Sequence, residues 1–302
     1  MVAMRLSYHD LAARATETLD RSRLARAVER LSAAYREGRS IDAHRTREGR
    51  AAYLVHTLPA HVCDERRLLL DELEEELRKE ELRVLALGAG PGTEALAFAE
   101  AWATLAGRSG TPPGRLLTVA RVDQVGAWDE AFGAMRTVFE PALSGIDPTF
   151  GESWRWEVPP TVACDLSREV PGRVLELAAT AHIIIVANLV SEILPRGTSV
   201  LAPGFLDGFR AIGKSAPVGS LAVLLDRGHA PGVRERLVAA AGALASGRAA
   251  TVSELREREV RCACALTKAT VALYKKVRLP TTKVEDRPIG NTRTAWLAVR
   301  FG

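Results

Sequence analysis

The most constraining stretch of this 302-residue chain runs from Leu82 to Leu105. The apolar run LRVLAL stops at a glycine cluster, and a helix-period segment, Glu94–Leu105, opens directly after it. The run does not alternate, so it fits a strand buried on both faces, and a helix following at once is what a parallel sheet covered on both sides requires. Further continuous runs occur at 116–122, 158–164, 182–187 (HIIIVA) and 220–225, with a helix expected over about Trp128–Leu143. Residues 144–157 read as polar punctuation. The expected class is therefore α/β, a doubly wound, mostly parallel sheet. After Val252, segments near Glu259–Leu266, Thr270–Val277 and Thr294–Phe301 read as strands without a helix between them, which predicts antiparallel pairing at the sheet edge.

The chain before Leu82 has another period. Leu11, Ala15 and Leu19, then Leu24, Ala27, Val28, Leu31 and Tyr35, recur at helical spacing, with a helix start at Ser7. Residues 36–50 read as a loop, Ala51–Leu58 as a helix ended by Pro59, and 62–80 as a helix with its acidic run exposed. The expected division is a helical N-terminal cap over 1–80 and a sheet domain over 81–302.

Charge is segregated. Residues 1–50 hold 11 arginines against 7 acids, 51–80 hold 4 basic residues against 8 acids, and 251–302 hold 11 against 5. Basic ends could form a phosphate-facing surface or an ordinary solvated one. A membrane-spanning helix needs about 20 apolar residues and no run approaches that, while the start MVAMRLSYHD lacks a secretory h-region. A cytoplasmic protein without a membrane partner is the expectation, and its four cysteines are expected to be reduced.

The glycine cluster carries the chemistry. In Gly88-Ala89-Gly90-Pro91-Gly92-Thr93-Glu94, a buried strand ends in a turn that lets a ligand approach backbone without a Cβ, and the helix offers N–H groups. The spacing G-x-G-x-G is neither the dinucleotide fingerprint nor a P-loop. LRVLALGAGPGTEAL resembles motif I of class I S-adenosylmethionine-dependent methyltransferases. The resemblance covers about residues 80–302 and implies a Rossmann-like seven-stranded sheet with an antiparallel C-terminal hairpin. It implies S-adenosylmethionine as cofactor and S-adenosylhomocysteine as product. The cofactor would lie against Gly88, Ala89, Gly90 and Gly92. Asp123, at the end of TVARVD with Gln124 beside it, would accept the ribose hydroxyls. Asp165 and Leu166, in ACDL, would meet the adenine. Asn188, in VANLVSEIL, would sit where methyl-transfer or substrate residues lie. Glu94 either meets the amino group of the methionine moiety or simply sits in the first helical turn, where the dipole favours an acid.

Two weaker similarities concern substrate. AAYLVHTLPAH (51–61) is similar to a helix in rRNA methyltransferase-like families of the small mitochondrial-type ribosomal subunit. VDQVGAWDEAF and VANLVSEIL are similar to the large-subunit rRNA uracil-N3 family. The first group usually carries metal-binding cysteines, whereas this chain has only Cys262 and Cys264 in its last hundred residues. Zinc needs about four ligands, so no metal is expected.

If a helix begins after Asn188, then Asn188 and Glu192 share a face, and Glu192 becomes the candidate base; the alternative is a surface acid paired with Arg196. Tyr53, His56 and His229 are candidate substrate contacts, and His182 reads as structural. Trp154 and Trp156 read equally as stacking or as packing residues. The reading is direct in-line methyl transfer to a nitrogen or oxygen, first of RNA (an rRNA base), alternatively of a small-molecule natural product. A third possibility is a cofactor-binding ribosome-assembly factor without catalysis. The oligomeric state is open.

Overall fold

A computed structural model of the chain describes residues 6–37, 40–192, 200–228, 230–261, 267–277 and 291–302. Helices α1 (Tyr8–Ala15), α2 (Arg21–Glu37), α3 (Ser40–His44), α4 (Arg47–His56), α5 (Leu58–Glu72) and α6 (Glu74–Leu77) come first. Strand β1 (Glu81–Leu87), helix α7 (Thr93–Ser109), β2 (Leu116–Asp123) and α8 (Trp128–Ile146) follow. Then come β3 (Arg155–Glu157), β4 (Val162–Ala163), α9 (Gly172–Ala178) and β5 (Ile183–Ala187). The chain continues through α10 (Pro203–Ser215), β6 (Leu221–Arg227), α11 (Val233–Ala245), β7 (Ala250–Val252), β8 (Arg256–Arg261), α12 (Lys268–Lys276) and β9 (Asn291–Phe301).

The sheet order is β3-β2-β1-β5-β6-β9-β7, with β4 also on β2 and β8 also on β9. From β3 to β6 the pairs are parallel, and every pairing of β9 is antiparallel. The α/β doubly wound class with an antiparallel C-terminal end is thus as expected, but nine strands form the sheet rather than seven. All of Ile183–Ala187 is buried, as a central parallel strand must be. Helices cover both faces. One apolar cluster joins Leu24, Leu31, Tyr53 and Leu69 of the N-terminal helices to Trp102 of α7 and Phe139 of α8. The other joins Phe209 of α10 and Leu237 of α11 to Leu85 and Ile184. Each buried leucine or phenylalanine contributes about 1.5–3 kcal/mol of transfer free energy.

The register positions the site. Leu87 aligns with Val122 on one side and Val186 on the other, and Val186 aligns with Leu224. Gly88, Asp123 and Asn188 therefore leave the sheet at one carboxyl edge, where open α/β sheets take their ligands.

Several local expectations need correction. Thr270–Lys276 is helical, within α12, with Val277 as its C-cap, because Thr267 caps the helix start by accepting from the Thr270 backbone N–H. Residues 36–50 are not one loop: they hold α3 and the start of α4, whose cap Thr46 accepts from the Gly49 N–H. Pro59 opens α5 instead of ending a helix, since a proline is tolerated in the first turn. Only Val162–Ala163 of the expected third strand pairs, and β3 comes from the supposed punctuation. The acidic run is not simply solvated: Glu72 pairs with Arg256 at 2.9 Å, Asp71 with Arg258 at 3.4 Å, and Glu76 with Arg300. Cys262, Cys264 and Arg196 lie outside the described residues. Among the described residues no helix is long and apolar enough to cross a membrane, and no group of three or more candidate ligands could hold a metal.

Candidate active site

A cleft lies at the carboxyl edge of β1, β2 and β5. The glycine turn forms its floor. Gly90 has φ +48°, and a Cβ built on it would meet only Trp128, at 3.9 Å, so backbone is bare towards the cleft. Gly92 differs: at φ +83° a Cβ would stand 2.7 Å from Phe132, so this glycine is needed for packing. The turn is tied down by β2. Gly88 N–H donates to the Val122 carbonyl at 2.8 Å. Gly90 N–H donates to Asp123 Oδ2 at 2.9 Å, and Val125 N–H to Asp123 Oδ1 at 2.8 Å. Burial raises the Asp123 carboxyl, against these donors and Arg121, which lower it. Gly88, Ala89, Gly90, Asp123 and Gln124 all line the cleft, as does Thr93.

The adjoining wall comes from the β4 end. Asp165 and Leu166 line it, together with Cys164 and Phe205. The Asp165 carboxylate is itself engaged, accepting from Ser167 N–H at 3.0 Å and Ser167 Oγ at 2.6 Å and pairing with Arg168 at 3.3 Å. It therefore folds its own loop as well as facing the cleft.

Asn188 and Glu192 form the far side. No helix runs between them; Asn188 has φ +56°, the one non-glycine positive φ among the described residues, and Glu192 N–H closes a turn on the Leu189 carbonyl at 3.0 Å. The helical-face argument fails, yet the turn still puts both in one cleft. Asn188 Nδ2 donates to Glu65 Oε1 at 3.4 Å. Glu192 accepts from Tyr35 Oη at 3.0 Å and faces Arg227 Nη2 at 3.7 Å, while the Arg227 guanidinium lies 5.2 Å from the Tyr35 ring centre. Burial pushes Glu192 up to about 7, against Arg227 and Tyr35, which favour its charged form. It is not a surface acid.

The roof comes from the N-terminal helices. Tyr53 lines the cleft, its ring edge-on to Trp128 at 5.4 Å and its hydroxyl 3.1 Å from His61 Nδ1. His44 packs at 5.0 Å from Trp128 and 5.3 Å from Tyr53, and its Nε2 is buried without a partner. Burial and Arg50 push His44 down to about 4, so its ring is neutral at pH 7. His44, Trp128 and Phe205 are cleft residues that sequence reasoning missed. His44 fell in a stretch read as a loop, and no local pattern marks it.

Three expected contacts do not reach the cleft. His56 is exposed, bonded to Thr57 Oγ1 at 3.0 Å and to Ser32 Oγ at 3.4 Å. Gly92 lies over Phe132. Glu94 is buried behind Thr93, whose hydroxyl donates to it at 3.1 Å. His229 lies outside the described residues. His182 is structural, Nδ1 accepting from Arg83 N–H at 3.0 Å. Trp154 and Trp156 are packing residues, their indole N–H groups donating to Asp147 at 2.6 Å and Glu140 at 3.0 Å.

No protein family and no curated protein matches this sequence. Among solved structures, the chain is similar to an N-methyltransferase from Bradyrhizobium japonicum in complex with S-adenosyl-L-homocysteine: 14% identity, 82% of this chain, 88% of that one, TM-score 0.39. It is similar to the 16S rRNA (adenine(1408)-N(1))-methyltransferase from Catenulisporales acidiphilia: 19% identity, 76% and 92% covered, TM-score 0.37. It is also similar to the precorrin-6y C5,15-methyltransferase from Geobacter metallireducens: 10% identity, 76% and 85% covered, TM-score 0.38. The reading of the cleft rests on its own residues.

Proposed function

We propose that this chain is an S-adenosylmethionine-dependent methyltransferase, with residues 1–80 as a helical cap over a catalytic domain of 81–302. One observation carries the reading: the acid that ends β2 is bonded to the glycine turn, Gly90 N–H to Asp123 at 2.9 Å, and both face one cleft. The bare Gly90 backbone and a buried carboxylate fit a nucleoside whose ribose hydroxyls donate to Asp123. Gln124, Asp165 and Leu166 fit the base end. When bound, S-adenosylmethionine supplies an electrophilic methyl group.

This chain's own residues have four tasks. The glycine turn and Asp123 fix the nucleoside so that the acceptor atom approaches in line. Tyr53, Trp128 and Phe205 keep water from the cleft. Glu192, held near neutrality, takes the proton of an N–H or O–H acceptor at its carboxylate. Asn188, bonded to Glu65, orients the acceptor.

For that acceptor, an RNA base is supported by exposed Arg23, Arg26 and Arg30 on α2. A small molecule is supported by the pairing of Arg256, Arg258, Arg293 and Arg300 with Glu72, Asp71, Glu257 and Glu76, which engages four of the 11 basic side chains of residues 251–302. Calorimetry with S-adenosylhomocysteine tests the cofactor. Binding that weakens greatly in Asp123→Ala supports the site, and unchanged binding would remove it. RNA affinity that falls steeply with salt supports the first acceptor; no RNA binding at low salt supports the second.

A further inference from the structure

Where Asn188 and Glu192 line the cleft, the hydrogen-bond donors are spent and the acceptors are not. Asn188 Nδ2 donates to Glu65 Oε1 at 3.4 Å, and Tyr35 Oη donates to Glu192 Oε1 at 3.0 Å. The backbone N–H groups of Asn188, Ser191 and Glu192 go to the Leu225 carbonyl, Asp226 Oδ2 and the Leu189 carbonyl, at 2.8, 2.8 and 3.0 Å. The Arg227 guanidinium does not line the cleft; it stays 3.7 Å from Glu192 Oε1 and 3.5 Å from Ser191 Oγ. What remains on the two lining residues is Asn188 Oδ1 and Glu192 Oε2. Neither has a partner among the described residues, and neither is a buried orphan. Asn188 is held at φ +56°, and buried Glu65, reaching in from α5, fixes which end of its amide is used up.

We propose that Glu65 is a specificity-determining positioning residue: by engaging Asn188 Nδ2 it leaves two acceptor oxygens at the transfer side, and the group they select is a primary amine. The inference rests on the methyltransferase reading above and narrows its acceptor. A neutral –NH2 brings two hydrogens for two oxygens and keeps its lone pair for the methyl carbon. A hydroxyl or a ring N–H brings one hydrogen, so one oxygen would go unmatched, and a ring nitrogen without hydrogen would leave both unmatched. The step balances. The amine nitrogen forms its bond to the methyl carbon as the carbon–sulfur bond breaks, and the sulfonium becomes the neutral thioether. One N–H proton then passes to the Glu192 carboxylate, while the other stays on Asn188 Oδ1. The secondary amine so formed has a single hydrogen for the two oxygens, so transfer should stop after one methyl. The exocyclic amine of a nucleobase in RNA and the free amine of a small molecule share this chemistry.

Methyl transfer by the full chain from ¹³C-methyl S-adenosylmethionine tests this, with unmodified rRNA transcripts in one arm and a panel of small primary amines and their matching alcohols in the other. Mass spectrometry and ¹³C spectra of the products identify the methylated atom. One methyl on an amino nitrogen is expected, and the arm in which it appears names the source. A methyl on oxygen or on a ring nitrogen, or two methyls on one amine, overturns the proposal and leaves a methyltransferase standing. Transfer in neither arm overturns the proposed function with it. Variants then test Glu65. Glu65→Leu frees the amide to turn Nδ2 towards the acceptor and should lower kcat at least roughly tenfold. Burial pushes the Glu65 carboxyl well above its ordinary value, so glutamine is a near isostere whose carbonyl still accepts from Nδ2. Glu65→Gln should therefore recover most of the rate. Equal rates in the leucine and glutamine variants would make Glu65 merely structural and overturn its role. The methylated atom is read on the unaltered protein, whether or not the leucine variant folds.

Discussion

The floor and the roof of the cleft are built in different ways. The floor is local: Gly88–Gly92 and Asp123 stand at the ends of adjacent strands, and one pair of hydrogen bonds from Gly90 and Val125 sets their geometry. The roof is assembled from distant chain. Tyr35 of α2 reaches Glu192, Glu65 of α5 reaches Asn188, and His44 and Tyr53 pack on Trp128. The floor's polar groups bond one another, whereas the roof leaves His44 Nε2 and Glu65 Oε2 buried and unmatched. A buried polar atom without a partner costs about 1–3 kcal/mol, so the roof is the part with most to gain from a ligand.

Changes on each side should separate the two. Asp123→Ala should weaken S-adenosylhomocysteine by roughly 100-fold, the loss of two hydrogen bonds to a charged acceptor. His44→Ala should cost roughly tenfold or less, one neutral hydrogen bond. Equal losses in calorimetry would erase the distinction between floor and roof. Gly92→Ala forces a side chain into the left-handed region and against Phe132, and should lower stability by about 2 kcal/mol or more in denaturant titration. An unchanged midpoint would mean that the turn is loose.

Much of the fold was legible because buried parallel strands announce themselves as unbroken runs such as Ile183–Ala187, and because the glycine turn needs backbone that only glycine adopts readily. Asp123 followed from its place at the end of β2. Thr270–Val277 misled, since β-branched Thr270 and Val271 imitate a strand while the Thr267 cap and burial of Leu273 and Tyr274 decide for helix. His44 in the cleft wall, and Tyr35 and Glu65 behind it, could not be read from the sequence: each takes its place only through packing across more than 80 residues of chain, as Tyr35 meeting Glu192 and Glu65 meeting Asn188 illustrate. The charge blocks were legible in number but not in consequence, because 71–76 neutralise arginines of β8 and β9.

pH gives two smaller tests of the same contrast. Asp64, Glu192 and Glu94 are pushed up to about 6, 7 and 8 in the fold, above ordinary values of 3.8 and 4.5. Through these acids the folded chain binds more protons than the unfolded one, and their contribution to stability is full below about pH 4 and lost as pH rises towards 8, whereas His44, lowered to about 4, acts in the opposite sense up to its ordinary 6.5. The melting temperature should fall between about pH 7 and 8, and Glu94→Gln should flatten the fall; a rise over that range would contradict the buried acids. Tyr35→Phe removes a donor that favours ionised Glu192, so the carboxyl should titrate higher, by up to about one unit. A ¹³C titration of the Glu192 carboxyl in the parent and the variant checks this, and an unmoved curve would detach the roof from the acid.

The most direct test of the cofactor site is a crystal structure of the full chain with S-adenosylhomocysteine. The nucleoside should lie over Gly90 with both ribose hydroxyls on Asp123, and its amino-acid end should point towards Thr93 and Asn188. A molecule bound elsewhere, with the cleft between the glycine turn and Glu192 empty, would contradict the proposed function.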